Sequence, residues 1–323
     1  HVSWTLRSDA PIGLFLSGGV DSRLVAAIAK RVDSKKIVAA YTVAFDVKDF
    51  NESNEAKKVA QKLDLFYEEV LITPLHVKNF FENANFNEFD FMTDTSFLPI
   101  YFLAEKAKQK VKVVLTGDGA DELFGGYNRH IYIHNKGFFV SLIKNILNNT
   151  KIRKILIYIF TLFSFSQYVR LLNKLNENQL PRSSSNKHGL LRHNYNDELE
   201  RDFHHYLPLV LAKVDQSTMA QGIEARTPFL NAEMVSYAFT LKLEELINKG
   251  AGKLPLRRIL DKMQLSAPYR KRGFTPPFSV WFGRELKEWL LIRWESMDFR
   301  VRYQIEEIYG KNAINRMIDN SRI

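Results

Sequence analysis

A short loop between a predicted strand and a predicted helix carries the residue types best suited to chemistry. The apolar run 14–16 leads into Ser17-Gly18-Gly19, and a helical pattern begins at Val20. Two glycines let the backbone approach a phosphate closely, and the N-terminus of a helix favours an anion. The hydroxyls of Ser17 and Ser22 add donors, while the Asp21 carboxylate is a ligand that Mg²⁺ prefers. The loop predicts binding of ATP with Mg²⁺.

A second cluster of reactive side chains follows another predicted strand. The run Thr116–Tyr127 contains four glycines and three acids, Asp118, Asp121 and Glu122. In isolation, such acids are as typical of a solvated turn with helix-capping residues as they are of a functional site. The carboxyl ends of parallel strands meet at one edge of a sheet. If this run adjoins the first loop there, its acids become metal ligands and substrate-positioning groups.

Two later motifs add charged residues. Glu224 and Arg226 stand two positions apart and therefore do not share a helix face; a surface ion pair at a helix end is the simpler interpretation. Lys253 and Lys271 lie in separate basic clusters that, taken alone, are typical of solvated surface. A lysine also suits a transient polyphosphate, because its ammonium is a movable point charge.

The elements around these motifs alternate between strand and helix over the first 125 residues. The predicted strands are Ile12–Leu16, Lys36–Phe45, Phe66–Ile72 and Val111–Leu115, and the predicted helices are Val20–Arg31, Glu52–Leu63, one that opens at Thr73-Pro74, and Ser96–Gln109. This alternation predicts an α/β fold with a doubly wound, mostly parallel sheet. After about residue 130 no strand pattern is visible, and from Phe203 the pattern is helical. We therefore expect an ATP-binding α/β core over 1–130, a basic and apolar helical insertion with a flexible loop over 131–200, and a helical region over 201–323.

Composition narrows the class of protein. The chain has 323 residues, of which 46% are hydrophobic and 25% charged, as is usual for a globular protein. It has no cysteine, which excludes disulfides, thiolate zinc sites and a cysteine nucleophile within this chain. No secretory signal is visible, and we expect a cytoplasmic protein.

Most of the net charge of +10 comes from one segment. Residues 136–192 contain ten basic residues and a single acid, Glu177, so the rest of the chain is nearly neutral. We expect no nucleic-acid partner. Within this segment, residues 155–169 are uncharged and shorter than the ~20 residues of a membrane span. They are interpreted as a buried helix, with peripheral contact of 136–192 with a membrane or a partner as the alternative.

Together, the four motifs resemble, in order and spacing, the synthetase domain of the asparagine synthetase family across nearly the whole chain. The first loop resembles the PP-loop shared by many ATP pyrophosphatases. The run Asp118–Tyr127 and the run Glu224–Asn231 are more specific to the family. The resemblance implies a PP-loop ATP pyrophosphatase fold, which is adenine nucleotide alpha hydrolase-like. It also implies attack of the aspartate side-chain carboxylate on the α-phosphate, release of pyrophosphate, and displacement of AMP by ammonia to give asparagine.

The resemblance also implies a role for each matching residue. The residues implied to bind ATP or pyrophosphate are Leu16, Ser17, Gly18, Gly19, Asp21, Ser22, Val43, Thr116 and Gly117. Asp21 and Asp121 are implied to hold Mg²⁺. Asp118, Lys271 and Lys253 are implied to be catalytic, and Glu224 and Arg226 to position the substrate.

The chain departs from the family pattern at several places. Arg23 stands where a small residue is common, Thr116 replaces a usual Ser, and Asn231 replaces a usual Asp. Residues 133–200 match no part of the family pattern. The family's N-terminal glutaminase domain is absent from this chain, so we expect a fragment that uses free ammonia. Glutamine would serve only through a glutaminase domain upstream in cis, or in trans.

Two other functions remain open from the sequence. The same adenylation and amidation could act on another carboxylate, such as a sugar acid or peptide in surface polysaccharide biosynthesis. A degenerate nucleotide-binding scaffold is the alternative from another class. The oligomeric state is also open, with a homodimer as one option.

Overall fold

A five-stranded parallel sheet forms the centre of the computed structural model, which describes residues 1–84, 95–132, 195–248, 250–268, 276–309, 314, 315 and 318. The strands are β1 Ile12–Phe15, β2 Ile37–Phe45, β3 Tyr67–Ile72, β4 Val113–Leu115 and β5 Glu224–Arg226. Their order is β3-β2-β1-β4-β5, and every neighbouring pair runs parallel. The doubly wound α/β fold that the sequence predicts is confirmed.

Helices precede, connect and follow the strands. Those described are α1 Val2–Thr5, α2 Val20–Val32, α3 Ser53–Lys62, α4 Pro74–Asn83, α5 Phe97–Ala107, α6 Ala120–Phe124, α7 Tyr195–Arg201, α8 Leu207–Met219, α9 Ala232–Thr240, α10 Leu243–Leu246, α11 Leu254–Lys262, α12 Phe278–Trp281, α13 Lys287–Ser296 and α14 Phe299–Tyr309. A π-helical stretch, Asp202–Tyr206, joins α7 to α8. As predicted, α4 opens at Thr73-Pro74: Thr73 forms a capping box with His76, and Pro74 takes the first turn.

Both faces of the sheet are buried, as the apolar composition of its central strands requires. On one face, Leu14 belongs to a hydrophobic cluster with residues of α2 and α3. On the other, Tyr41 and Val43 of β2 belong to a cluster with residues of α5, together with Trp281 of α12. Because β1 and β2 are covered on both sides, the loops at their carboxyl ends are held on a rigid base.

The fifth strand corrects one sequence-based expectation. The region after residue 130 was expected to be helical, yet β5 extends the sheet beyond β4. Arg226 is opposite Leu115 in this pair, and its carbonyl accepts a hydrogen bond from the Thr116 N–H at 2.9 Å. A strand of three residues, two of them charged, is too short to show the alternation of apolar and polar residues by which a strand is predicted from sequence. It forms because β4 offers an edge with unpaired backbone groups.

Several expectations fall on residues 133–194, which lie outside the described residues. They include most of the predicted insertion, the apolar stretch 155–169 and the loop 181–187. Within the part of the chain that the structure describes, no helix combines the length and the apolar character needed to cross a membrane.

The strand order indicates at which edge of the sheet a ligand would bind. The chain adds β2 and β3 on one side of β1 and then places β4 and β5 on the other. In doubly wound sheets, ligands bind beyond the carboxyl ends of the strands where the order reverses. The loops after β1 and β4 meet there, and these loops carry Ser17-Gly18-Gly19 and Asp118.

Gly119 limits how the loop after β4 can change. Its φ is +85°, and a Cβ built on it would lie 2.4 Å from Leu230 Cδ2. We expect Gly119→Ala to lower the free energy of unfolding by roughly 1–2 kcal/mol for the left-handed backbone, plus roughly 1–3 kcal/mol for overpacking. Gly222→Ala is the matched control, because its φ is +67° but no atom lies within 4 Å of the built Cβ. Urea unfolding of both variants checks this; equal losses would contradict the packing argument.

Candidate active site

The loop after β1 is organised by its own hydroxyls. The Ser17 N–H donates to Ser22 Oγ at 3.0 Å, the two serine hydroxyls lie 2.9 Å apart, and the Gly19 N–H donates to Ser17 Oγ at 3.1 Å. Gly19 precedes α2 and has no side chain to cap the first N–H groups of the helix. The loop therefore presents the N–H groups at the start of α2, which have no side-chain cap, and the positive end of this helix to an anion.

A buried lysine joins this loop to the acidic turn after β4. Lys253 is 5% exposed, and its Nζ lies 2.5 Å from Asp21 Oδ2 and 2.7 Å from Asp121 Oδ1. Burial alone would lower the pKa of Lys253, but the two carboxylates outweigh it and raise the pKa above its ordinary value. The ammonium therefore stays charged and holds three segments together: the loop after β1, the turn after β4 and the start of α11.

Two glycines make this convergence sterically feasible. A Cβ on Gly117 would lie 2.8 Å from Asp21 Cβ, and one on Gly126 would lie 2.0 Å from both Asp121 Oδ1 and Lys253 Cε. Any larger residue would push the segments apart or displace the ion pair. The glycines of Thr116–Tyr127 thus serve the close approach of the loops.

The loops open into a cavity of about 1210 Å³. It brings together most of the residues predicted from the sequence. Those lining it are Leu16, Ser17, Gly18, Gly19, Asp21, Ser22, Thr116, Gly117, Asp118, Asp121 and Lys253. Asp118 sits in the turn after β4, and Thr227 Oγ1 donates to its carbonyl at 2.8 Å.

Three of the predicted residues that the structure describes, Val43, Glu224 and Arg226, are not among those that line the cavity. Val43 is 4% exposed and packs in the core on the α5 side of the sheet. Arg226 Nε donates to Glu224 Oε1 at 2.8 Å, and its Nη1 donates to the carbonyls of Thr5 and Arg7 at 3.0 and 2.7 Å. The hydrogen bond from Arg226 lowers the pKa of Glu224. This pair ties β5 to the N-terminal segment. Lys271 lies outside the described residues.

The cavity also contains charged and polar residues to which the family resemblance assigns no role. Glu122 is 1% exposed and accepts a hydrogen bond from Tyr127 Oη at 2.5 Å, and burial raises its pKa. Lys213 of α8 and Ser96, just before α5, line the cavity as well. In the sequence, Lys213 stands out only as the single lysine in the otherwise apolar first half of α8. A single charged residue forms no spaced pattern, so the sequence does not indicate its role.

Two of the departures from the family pattern have structural partners. Arg23 is 4% exposed; it donates to the Gly18 carbonyl at 3.0 Å and also to the carbonyl of Ser266. It therefore ties the phosphate loop to the segment after α11. Asn231 caps α9, because its side-chain oxygen accepts the Glu233 N–H at 3.0 Å.

The acidic pair fits a magnesium ion. Asp21 and Asp121 both contact the Lys253 ammonium, so the two carboxylates lie close together beside the loop after β1. Carboxylate oxygens beside a phosphate loop are the donor set that Mg²⁺ prefers. Within the described ranges, no three His, Asp or Glu side chains form a metal cluster. Phosphate oxygens and water would complete the coordination, as is usual for Mg²⁺.

Comparison with known proteins found relatives of this chain. A family model described as Asparagine synthase matches residues 2–322. A glutamine-hydrolysing asparagine synthetase of Bacillus subtilis (strain 168) is 28% identical over 319 residues, covering 88% of this chain and 49% of that protein. Another, from Oryza sativa subsp. japonica, is 33% identical over 138 residues, covering 40% of this chain and 23% of that protein. The chain spans about half the length of the curated relatives that match most of it.

Among solved structures, an NH3-dependent NAD synthetase from Campylobacter jejuni subsp. jejuni NCTC 11168 aligns with 57% of this chain and 95% of its own. The identity is 18% and the TM-score is 0.30.

Lys253→Met tests the convergence of the two carboxylates. Removing the ammonium leaves Asp21 and Asp121 close together without their shared cation, which should cost about 3–5 kcal/mol of unfolding free energy. Mg²⁺ should restore more stability to this variant than to the wild type, because it replaces the lost charge. Urea unfolding with and without Mg²⁺ measures this. Lys108→Met, which removes an exposed lysine, is the control, and an equal Mg²⁺ effect in all three proteins would contradict the metal assignment.

The ion pairs of Lys253 with Asp21 and Asp121 should make the free energy of unfolding depend on pH in the alkaline range. The folded-state pKa of Lys253 is raised above the ordinary value of 10.5, so its contribution is fully present below pH 10.5 and is lost as the pH rises through the folded pKa. We expect the stability difference between wild type and Lys253→Met to stay constant from pH 7 to about pH 10 and to shrink above that. A difference that shrinks well below pH 10 would show that the lysine is not held by the carboxylates.

Proposed function

Because the chain belongs to the asparagine synthase family, we propose that it carries out ATP-dependent amide formation from a carboxylate and ammonia, with aspartate as the carboxylate. The observation that carries this proposal is the ion cluster of Lys253, Asp21 and Asp121. It joins a phosphate-binding loop to the turn that bears Asp118 within one cavity. A site of this kind can hold a nucleotide and a second substrate together.

The reaction has two balanced steps. A carboxylate oxygen of aspartate attacks the α-phosphorus of ATP, the bond to the β-phosphate oxygen breaks, and pyrophosphate leaves with the electron pair. The product is an acyl-adenylate. Ammonia then attacks the acyl carbon and loses a proton, and AMP leaves as asparagine forms. Adenylation makes the second step feasible, because AMP is a far better leaving group than oxide.

The chain's own residues supply binding and charge in these steps. Backbone N–H groups after β1 and the hydroxyls of Ser17 and Ser22 hold phosphate oxygens. Lys253 keeps a positive charge beside the departing pyrophosphate. Asp118, on the opposite loop, lines the same cavity and orients the acyl group. Mg²⁺ held by Asp21 and Asp121 supplies charge neutralisation for the polyphosphate when bound.

A larger carboxylate, such as a sugar acid or a peptide treated by the same chemistry, is the second candidate acceptor. The cavity of about 1210 Å³ would have to hold this acceptor together with ATP. A scaffold without activity is less favoured, because the buried ion cluster would then have no ligand to serve.

We also propose a source for the ammonia. The relatives that match most of the chain are glutamine-hydrolysing by name and about twice as long. We propose that a glutaminase domain, in cis upstream or in trans, delivers ammonia to the acyl-adenylate, and that the reaction takes place in the cytoplasm.

Pyrophosphate release tests the proposal. We expect release that requires ATP, Mg²⁺, aspartate and ammonia together, with AMP as the nucleotide product. Asp21→Asn should lower the rate about 100-fold, because a metal that neutralises developing charge contributes several kcal/mol. Asp33→Asn, at the other end of α2, is the control and should keep the rate.

Two results would contradict the proposal. Formation of ADP in place of AMP would exclude attack at the α-phosphorus. Full activity of Asp21→Asn would exclude its role beside the phosphates. Release with a sugar acid or peptide but not with aspartate would keep the chemistry and change the acceptor.

A further inference from the structure

Another buried cation lies against the loop after β1, and the proposed chemistry does not use it. Arg23, near the start of α2, is 4% exposed and is not among the residues that line the cavity. Its Nη2 donates to the Gly18 carbonyl at 3.0 Å, and its Nη1 donates to the carbonyls of Ser266 and Leu265. Gly18 itself lines the cavity. Arg23 can therefore act on a ligand through the loop without contacting the ligand.

The charge of Arg23 is not balanced as that of Lys253 is. Its Nη2 lies 3.9 Å from Glu55 Oε2, and this carboxylate is 42% exposed and also contacts Lys58 Nζ at 2.6 Å. Within the part of the chain that the structure describes, Arg23 Nε has no hydrogen-bond partner. Burial lowers the pKa of Arg23 and Glu55 offsets this only in part, whereas two carboxylates raise the pKa of Lys253. An anion bound at the loop would supply the missing negative charge.

The position of this charge on its helix also favours an anion. The N-terminal end of a helix carries partial positive charge, so a cation near the start of α2 is unfavourable there by itself. The guanidinium and the helix end attract an anion in the same sense, and the attraction is stronger where water is excluded. Binding of an anion would therefore relieve two unfavourable contributions to the free energy of the unliganded loop.

Arg23 also fixes the peptide group between the two glycines of the loop. The Gly18 carbonyl and the Gly19 N–H belong to one planar unit. Arg23 binds its oxygen, and Ser17 Oγ accepts its N–H at 3.1 Å. Glycine has more backbone freedom to lose than any other residue. A loop that is already held in one conformation pays less ordering entropy when a ligand binds.

We propose that Arg23 is a positioning residue for the polyphosphate, which holds the Gly18–Gly19 peptide in its binding conformation and places a positive charge behind it. This inference rests on the proposed function, because that function locates the polyphosphate at the loop after β1. An arginine with a purely structural role would stabilise the fold, but it would not favour ligands that carry phosphate over ligands that do not.

A pair of ligands tests this role without turnover. Calorimetry would compare inorganic pyrophosphate with adenosine, which has no phosphate, each in the presence of Mg²⁺. We expect Arg23→Gln to bind pyrophosphate about tenfold more weakly than the wild type, and to bind adenosine within about twofold of it. Arg23→Lys should have an intermediate pyrophosphate affinity, because it keeps the charge but has a single nitrogen for carbonyls that the guanidinium binds with two.

Arg31→Gln is the matched control, because it makes the same substitution at an exposed arginine in the last turn of α2. It should bind both ligands as the wild type does. Circular dichroism checks that each variant is folded, and Arg23→Lys carries the comparison with the wild type if Arg23→Gln is not.

Three results would count against the proposal. Equal pyrophosphate affinity in the wild type and the folded Arg23 variants would overturn it and leave the proposed function in place. A parallel loss of adenosine affinity in these variants would show a general structural role and would overturn it as well. Failure of the wild type itself to bind pyrophosphate would contradict the proposed function, and this inference with it.

Discussion

The structure depends on one buried ion cluster, in which the ammonium of Lys253 lies between the carboxylates of Asp21 and Asp121. These three residues come from segments far apart in the chain. The neighbouring strands β1 and β4 bring the segments of Asp21 and Asp121 to one edge of the sheet, and Lys253 joins them from the start of α11. Each charge would be costly to bury without the others. Their mutual attraction therefore fixes the distance between the loop after β1 and the turn after β4. It also builds the point where a divalent cation and a polyphosphate would be held.

The cavity around this cluster has two walls of different chemical character. On one side, backbone N–H groups and serine hydroxyls form a concave surface that suits phosphate oxygens. On the other, Lys213 and Ser96 stand in an apolar wall between α5 and α8. Asp118 lies among the residues that line the same space. This arrangement gives a physical basis for the ATP-dependent amide formation that we propose.

The sequence could predict those parts of the site whose residues form a local pattern along the chain. Ser17-Gly18-Gly19 stands between a strand and a helix, and Asp118 and Asp121 follow another strand, so strand ends and glycines were enough to place them. The strand Glu224–Arg226 and the wall residue Lys213 were not predictable in this way. A three-residue strand has no period, and a single lysine has no spacing. The position of each in the site depends on residues that become its neighbours only in the folded chain.

The central claim is that the cavity activates a carboxylate by attack on the α-phosphorus of ATP. Oxygen-18 in the side-chain carboxylate of aspartate reports this directly, because the attacking oxygen stays with the phosphorus when ammonia takes the acyl carbon. We predict one labelled oxygen in the AMP that is formed. Label in inorganic phosphate together with formation of ADP, or AMP without label, would contradict it.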